Sequence, residues 1–433
     1  MPRRSRRLVL LLAVVSLATP AFVGQGPPAL DPAPAVAGHV VVLDDEVVDV
    51  AAAADEVLSP LGVTPTFLYE HALRGFSVRL DARQAARVGA HPLVDLVERD
   101  RTFAVASTSD AVTVPTGVSR VGATIGVGSR IRIDADVAVL DTGVDAQHPD
   151  LRVHHRVDCT RPEAGSSSSS FLPALVTVAG SRRERKVCAP DRGDDDTGHG
   201  THVAGVIGAK DDGRGVVGVA PGVRIWGVKV LDMTHGGGST SEIVAGLDHV
   251  TEHAREIEVV NLSFVADGRS GATDRAVRGA TRAGLVVVAA AGNAGNPASW
   301  YSPANAPTAI TVSAITDLDG RPGGLEPGGC QGADDHLADY SNYGRAVSIA
   351  APGSCILSTA VGGGTVRYSG TSVAAPHVAG VAARHIAAAG EARGSTRWER
   401  TRAALLERAA PQSGPCGFAG GRSAEPVLRL ARC

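Results

Sequence analysis

The sequence has no strong excess of either charge, no cysteines in a C-x-x-C spacing, and no long apolar run beyond its N-terminus. Its formal net charge is −3 at pH 7 over 433 residues, so nothing in the composition indicates a nucleic-acid partner. Without a C-x-x-C spacing a zinc site is improbable, and without a later apolar run a stable membrane span is excluded. We therefore expect neither nucleic acid nor a membrane span to be part of its function.

Residues 1–21 have the pattern of a secretory signal peptide. Four arginines within the first seven residues precede an apolar run over residues 8–18, which is too short to cross a bilayer as a stable helix. We expect cleavage after Ala21, with Ala37 as the alternative position, and an uncleaved membrane anchor is the other interpretation. A signal peptide predicts a secreted, extracellular protein.

The six cysteines support the same interpretation. An even number in an exported chain predicts disulfides, although the count does not determine the pairing. None of the cysteines lies in a candidate catalytic motif, which favours structural bridges in an oxidising compartment. Their proximity along the chain predicts three local bridges: Cys159 with Cys188, Cys330 with Cys355, and Cys416 with Cys433.

Residues 38–106 have the pattern of a small separate unit. The predicted strands and helices follow one another in the order β-α-β-β-α-β, which is the ferredoxin-like arrangement. Asp81 and Gln84 have the spacing of a capping box, which predicts a helix that ends near Gly89. The junction with the next domain is expected between residues 103 and 110.

Beyond this junction the pattern indicates one large α/β domain over residues 107–411, followed by a short disulfide-closed tail over residues 412–433. Apolar segments alternate with helical segments, which indicates a mostly parallel sheet with helices on both faces. The predicted strands cover residues 137–140, 224–230, 259–263, 285–290 and 308–314. We therefore expect a three-layer α/β domain preceded by a small α+β unit.

Three polar residues stand where such a domain places catalytic groups. Asp141 ends an apolar predicted strand, and ligand sites in α/β sheets gather at such strand ends. His199 and Ser372 each begin a helix rich in small residues, and Pro376 is expected in the first turn of the second helix. Carboxylate, imidazole and hydroxyl together can activate a serine nucleophile. A serine that only caps a buried helix is the plainer interpretation of Ser372.

The chain order Asp141, His199, Ser372 is the subtilisin order. The segments around these residues resemble the motifs of the subtilase family of serine proteases, in its proteinase K-like branch. The matching segments are residues 137–145, 198–205 and 370–380, and the resemblance runs from about residue 118 to about residue 387. It implies a subtilisin-like fold and a secreted serine endopeptidase, a monomer that cuts protein or peptide substrates. Ser372 would be the nucleophile, His199 the general base and acid, and Asp141 the carboxylate that orients His199.

The resemblance also implies further roles. Asn293 falls at the position of the oxyanion-hole amide, and residues 38–106 resemble an inhibitory propeptide, which makes the chain a self-processing zymogen with an intramolecular inhibitor. A plain accessory domain is the alternative for this unit. No cofactor is expected for catalysis, while structural calcium is a family property whose sites the sequence does not mark. The residues expected to contact substrate are Gly236, Gly237, Gly238, Ser263, Phe264, Val265, Ala290, Ala291 and Gly292.

Two residues depart from the family pattern. Val373 follows the nucleophile where the family usually has methionine, and Val265 stands where many members have glycine. Asn261 matches a family motif and is expected to act as scaffold.

Two further segments have more than one interpretation. The acidic run 194–196 is interpreted as a cation site, a determinant for basic substrate residues, or a solvated turn. The insert between Cys159 and Cys188 is a specificity loop, a nicking site or a solvated loop. A catalytically silent binding protein and a transpeptidase are the two alternative functions.

Overall fold

A computed structural model describes residues 36–103, 115–123, 130–160, 188–235, 237–324, 330, 332–390, 392–422 and 424–430. Five of the sequence predictions fall on residues outside this set. They concern the signal peptide, the junction around residues 104–110, the insert over residues 161–187, Gly236 and Cys433.

The first unit is a four-stranded antiparallel sheet in the order β2-β3-β1-β4 with two helices. Its elements are β1 (Ala37–Leu43), α1 (Val50–Leu58), a 3₁₀ turn (Ser59–Leu61), β2 (Phe67–Tyr69), β3 (Gly75–Leu80), α2 (Ala82–Gly89) and β4 (Val94–Arg99). The side chain of Asp81 accepts hydrogen bonds from the N–H groups of Arg83 and Gln84, and Gln84 Oε1 accepts one from the N–H of Asp81. The predicted order of elements and the predicted capping box are therefore confirmed.

The remaining strands and helices form the large domain, except the first of them, which ends the first unit. In chain order they are β5 (Thr102–Phe103), α3 (Thr116–Arg120), β6 (Asp136–Asp141), β7 (Val153–Asp158), β8 (Ala189–Pro190), α4 (His199–Gly208), β9 (Arg224–Lys229), β10 (Gly238–Ser239), α5 (Thr240–Glu252), β11 (Val259–Leu262), β12 (Ala266–Asp267), α6 (Gly271–Arg282), β13 (Val286–Ala290), β14 (Tyr301–Ser302), β15 (Ile310–Thr316), β16 (His336–Leu337), β17 (Ile349–Pro352), β18 (Ile356–Thr359), β19 (Thr365–Tyr368), α7 (Thr371–Ala389) and α8 (Arg397–Arg408). Two 3₁₀ turns, Met233–His235 and Ala298–Trp300, complete the set for the described residues.

The central sheet of the large domain has the order β16-β15-β13-β11-β6-β9-β7-β8, with β17 also paired to β15. All of its pairings are parallel except those of the edge strands β8 and β16. Alternate residues of β6 enter different cores: Ala138 and Leu140 pack with α5 and α6, whereas Val137 and Val139 pack with α4 and α7. The predicted three-layer α/β fold is therefore confirmed. No helix among the described residues has the length and apolarity needed to cross a membrane.

The first unit contributes carboxylates to the helix starts of the large domain. Asp100 Oδ1 accepts a hydrogen bond from the N–H of Ser241 in the first turn of α5, at 2.8 Å. Glu98 Oε2 accepts one from the N–H of Ala272 in the first turn of α6, at 3.0 Å. The N–H groups of a first helical turn have no acceptor within their own helix, so the two carboxylates act as caps supplied by another unit.

A contact in the opposite direction fixes the loop that follows β2. Asp248 of α5 accepts hydrogen bonds from the N–H groups of His71 and Ala72, at 2.6 and 2.7 Å. The sheet face that carries Val40 and Val42 is buried in the same core as α5 and α6. The first unit thus docks on two helices through one apolar face and several charge-assisted hydrogen bonds.

Candidate active site

Asp141 and His199 meet at the edge of the sheet where β6 ends and α4 begins. Asp141 is the last residue of β6 and His199 is the first residue of α4, preceded by Gly198 with a φ of 90°. His199 Nδ1 lies 2.7 Å from Asp141 Oδ1, and both side chains are buried. The N–H of Thr142 donates a second hydrogen bond to the same oxygen, at 2.7 Å. The structure therefore brings two of the predicted residues into direct contact.

The environment of His199 favours a fixed ring orientation and a raised pKa. Burial alone would lower the pKa of His199, but the charge and hydrogen bond of Asp141, together with the charge of Asp195, raise it above the ordinary value of 6.5. Nε2 of His199 is buried and has no hydrogen-bond partner among the described residues. One ring nitrogen is thus committed to Asp141, and the other is left to exchange a proton with a reacting group.

Ser372 is the second residue of α7, which packs against α4 in one shared core. The predicted position of Pro376 is wrong, because α7 begins five residues earlier, at Thr371, and Pro376 lies inside the helix. A proline has no N–H to donate to the carbonyl four residues before it, here that of Ser372. The hydroxyl of Ser263 donates to that carbonyl instead, at 2.6 Å. Asn261 Nδ2 in turn donates to Ser263 Oγ at 2.8 Å.

Asn293 is held next to Ser372 through Thr371. The N–H and the hydroxyl of Thr371 both donate to Asn293 Oδ1, each at 2.8 Å. The hydroxyl oxygen of Thr371 also accepts a hydrogen bond from the N–H of Gly292, at 3.0 Å. With its carbonyl oxygen held in this way, the side chain of Asn293 turns its NH₂ group away from Thr371.

Asn342 is a buried residue of this site that the sequence analysis missed. Its Nδ2 donates to the carbonyl of Ala291 at 2.9 Å, and its Oδ1 accepts from the N–H groups of Ala294 and Asn296 at 3.1 and 2.9 Å. These bonds hold the loop that carries Asn293 on both sides. No local motif marks Asn342, because its partners lie 46 to 51 residues earlier in the chain.

Glycines on one predicted substrate edge contact the last strand of the first unit. β10 pairs antiparallel with β5, and this register places Gly238 opposite Phe103. Gly237 has a φ of 111°, and a Cβ added there would collide with the carbonyl oxygen of Phe103. The close approach of β5 therefore requires glycine at position 237.

The second predicted substrate edge is mostly buried. Ser263 is used by Ser372, as described above, and Phe264 packs edge-on against Phe103 with ring centroids 5.5 Å apart. Val265 is half-buried and packs with Ala291. Of the remaining predicted residues, Ala290, Ala291 and Gly292 are buried at and just beyond the end of β13.

The acidic run 194–196 is fully engaged in pairing. Asp195 is buried, and its carboxylate accepts hydrogen bonds from Thr142 Oγ1, Gly198 N–H, and the N–H and hydroxyl of Thr201, at 2.6 to 2.8 Å. Its neighbours form ion pairs: Asp194 with Arg156 and Asp196 with Lys229. The prediction of a solvated turn is therefore wrong for Asp195, because its carboxylate is buried. Charge-assisted hydrogen bonds compensate this carboxylate for the loss of water.

Two of the predicted disulfides are present. Cys159 is bonded to Cys188, and Cys330 to Cys355. Cys416 is disulfide-bonded as well, and its predicted partner, Cys433, lies outside the described residues. The bridges close local loops, which restricts the unfolded chain.

Asp195→Ala is expected to destabilise the protein by about 3 kcal/mol, because it removes charge-assisted hydrogen bonds and the N-terminal support of α4. Asp194→Ala is the matched control, since the Asp194 side chain is 87% exposed and an exposed ion pair contributes about 0–1 kcal/mol. Urea unfolding followed by circular dichroism compares the two variants. Equal midpoints for the two would contradict a structural role for Asp195.

Comparison with known proteins identifies both parts of the chain. A family model described as "Subtilase family" matches residues 134–422, and one described as "Peptidase inhibitor I9" matches residues 66–106. The cuticle-degrading protease of Metarhizium anisopliae is 31% identical over 398 residues, which are 88% of this chain and 88% of that protein. Proteinase R of Parengyodontium album is 30% identical over 400 residues, 87% of this chain and 88% of that protein.

Solved structures agree in fold. The S41 psychrophilic protease is 29% identical with a TM-score of 0.57, and the match covers 73% of this chain and 98% of that one. Fervidolysin from Fervidobacterium pennivorans, a keratinolytic enzyme related to subtilisin, has a TM-score of 0.68 at 24% identity and covers 93% of this chain and 61% of that one; at that identity it supports the fold alone. The chain belongs to the subtilase family and is a serine endopeptidase with an I9-type propeptide unit.

Proposed function

We propose that Asp141, His199 and Ser372 form the catalytic triad of this protease. The observation that carries the proposal is the 2.7 Å hydrogen bond between Asp141 and His199, with Nε2 of His199 left without a partner among the described residues. An aspartate on Nδ1 fixes the tautomer whose Nε2 accepts a proton. Ser372, at the start of the adjacent helix α7, supplies that proton.

Hydrolysis then proceeds in two steps. Ser372 Oγ attacks the scissile carbonyl while His199 takes the hydroxyl proton, and His199 returns that proton to the leaving amine as the peptide C–N bond breaks. Water, deprotonated by His199, then attacks the acyl carbonyl, and His199 passes this proton to Ser372 Oγ as the ester bond breaks. The NH₂ group of Asn293 and the N–H of Ser372 stabilise the oxyanion, and one such donor is worth about 3 kcal/mol of the barrier.

Ser372→Ala is expected to lower kcat by about 10⁶-fold and to leave an uncut precursor, because no other group replaces the nucleophile. Labelling with a fluorophosphonate and peptide mapping identifies the reactive serine, and Ser413→Ala, at an exposed serine of the C-terminal segment, is the control. Labelling of the Ser372→Ala protein at full yield would contradict the assignment. Mass spectrometry of the products separates hydrolysis from transpeptidation.

The pH dependence is expected to follow His199. Only neutral imidazole accepts the serine proton, so kcat/KM is lost as the pH falls through the raised pKa of His199, and the acidic limb lies above pH 6.5. Asp195→Asn removes one negative charge that raises this pKa, so the acidic limb of the kcat/KM profile of this variant shifts to lower pH. Asp194→Asn is the control. Profiles with an uncharged peptide substrate that place all three limbs below pH 6.5 would contradict the prediction.

We propose that residues 38–106 act as an inhibitory propeptide and that Ser372 cuts between Phe103 and Ser107. Support comes from β5, which lies as an added strand on β10, the edge expected to bind substrate. Phe103 is fully buried against Phe264.

The other segments of the chain then have separate roles. Residues 1–21 would direct export, residues 107–411 would form the catalytic domain, and residues 412–433 would form its tail. One relative is named an extracellular serine proteinase, from a Thermus strain, which supports secretion here. The processed enzyme is expected to act as a monomer on proteins or peptides.

Gly279→Ala is expected to weaken inhibition by the propeptide at least tenfold. Gly279 lies in α6, and a Cβ there would collide with the carbonyl oxygen of Ala72. The same change should keep or raise the stability of the processed enzyme, since alanine is favoured over glycine in helices by about 1 kcal/mol.

The inhibition constant of added residues 38–106 measures this effect on the processed enzyme. Gly89→Ala within the added propeptide is the matched control, because its new Cβ meets only Val97 at 3.6 Å. Equal inhibition of the wild-type and Gly279→Ala enzymes would show that the docked arrangement is not the inhibitory one.

We propose that structural calcium binds at Asp317, Asp319 and Asp334. Their ligand oxygens all lie within 4.8 Å of one another, and oxygen-only donors suit calcium. Arg120 lies 3.3 Å from Asp317 and hydrogen-bonds to Asp335. Burial raises the pKa of Asp317, and the charges of Asp335, Asp334 and Asp319 raise it further against the opposing charge of Arg120. A divalent cation would relieve this repulsion between carboxylates.

Calcium is expected to raise the melting temperature by several degrees, through its binding to the folded state alone. Asp319→Asn should abolish most of that gain, whereas Asp212→Asn, at an exposed aspartate elsewhere, should keep it. Thermal scans with calcium and with a chelator make the comparison. An equal gain in both variants would place the ion elsewhere.

A further inference from the structure

A group of imidazoles lies on the large domain where the end of α5 meets β7. His249, Glu252 and His253 occupy positions i, i+3 and i+4, so they share one face of the last helical turn. One ligand atom from each residue lies within 4.8 Å of the others. None of these residues belongs to the site described above.

His249 in α5 and His253 at its C-cap each have a ring nitrogen that can bind a metal ion. Nδ1 of His253 donates to the carbonyl of His249 at 2.8 Å, which leaves the lone pair of its Nε2 available. Nε2 of His249 is buried and has no hydrogen-bond partner among the described residues. An unpartnered buried polar atom is destabilising, and a metal ion bound at Nε2 of His249 would supply its partner.

The surroundings restrict the rotation of these rings. His155 of β7 stacks on His249 with centroids 5.7 Å apart and planes 10° apart, and Trp226 packs 5.3 Å from His253. Rings packed in this way hold their ligand nitrogens in place.

We propose that His249, Glu252 and His253 bind one divalent transition-metal ion of the zinc class, with the remaining coordination positions open to water. Two imidazoles and one carboxylate suit zinc and related ions and do not suit calcium or magnesium, which prefer oxygen ligands only. The sequence analysis predicted no zinc site because it took only the spacing of cysteines into account. The missed signal was the H-x-x-E-H spacing at residues 249–253.

The place of the site in the fold indicates a stabilising rather than a catalytic ion. α5 has 13 residues, and the predicted substrate edge at β10 precedes its first turn, about 20 Å from its last. Glu252 lies 3.8 Å from His71 of the propeptide unit. The ion would therefore stabilise the last turn of α5, next to the propeptide unit, and would not contact the triad.

Binding of Zn²⁺ alone to the metal-depleted full-length chain tests the proposal. Isothermal titration calorimetry should give one ion per chain with a dissociation constant of micromolar order or tighter. Glu252→Gln and His253→Gln should each weaken binding at least tenfold, and Co²⁺ should give a visible ligand-field band that both variants lose. His91→Gln, at a histidine of the propeptide unit outside the group, should bind as the wild type does.

His249→Ala provides a further test, and circular dichroism first verifies that it is folded. Should this variant fail to fold, the substitutions at Glu252 and His253 still decide the question. Absence of stoichiometric Zn²⁺ binding, or equal affinity in the wild type and in Glu252→Gln and His253→Gln, overturns the proposal. Zn²⁺ is expected to raise the melting temperature and to leave kcat unchanged.

Discussion

The buried carboxylate of Asp195 joins the two segments on which the rest of the site depends. Thr142, directly after Asp141, and Gly198, directly before His199, donate to the same oxygen of Asp195. Asp141 and His199 are 58 residues apart in the chain, so neither local segment can set the distance between them. A carboxylate removed from water must recover its hydrogen bonds inside the protein, and here that requirement fixes the end of β6 against the start of α4. The same negative charge also raises the pKa of His199.

A similar principle governs the other half of the site. Thr371 connects Ser372 to Asn293, and Asn342 holds the loop around Asn293 from a distant part of the chain. In each case a buried polar side chain bridges backbone segments that no regular hydrogen-bond ladder connects. Such bridges stabilise one geometry because a displaced partner would leave a buried group unsatisfied.

The sequence was informative where a local pattern carries the physics. Alternating strands and helices predicted the parallel sheet, and the spacing of Asp81 and Gln84 predicted their capping box. The sequence was uninformative where distant groups meet. The acidic run around Asp195 resembled a surface turn because Thr142, which helps to bury this carboxylate, lies 53 residues earlier in the chain. Pro376 was misplaced because the group that compensates for its missing N–H, the hydroxyl of Ser263, is more than a hundred residues away.

The proline inside α7 also determines what Ser372 moves with. In an uninterrupted helix the carbonyl of Ser372 would bond to the next turn, and a shift of the helix along its axis would carry the residue along. Here that carbonyl bonds to Ser263, just past the end of β11, and Ser263 is steadied by Asn261 within β11. The start of α7 is thus tied to the central sheet by a hydrogen bond that the helix itself does not supply. The backbone position of Ser372 therefore depends on β11 as well as on α7, so a change in the packing of the sheet would reach the nucleophile directly.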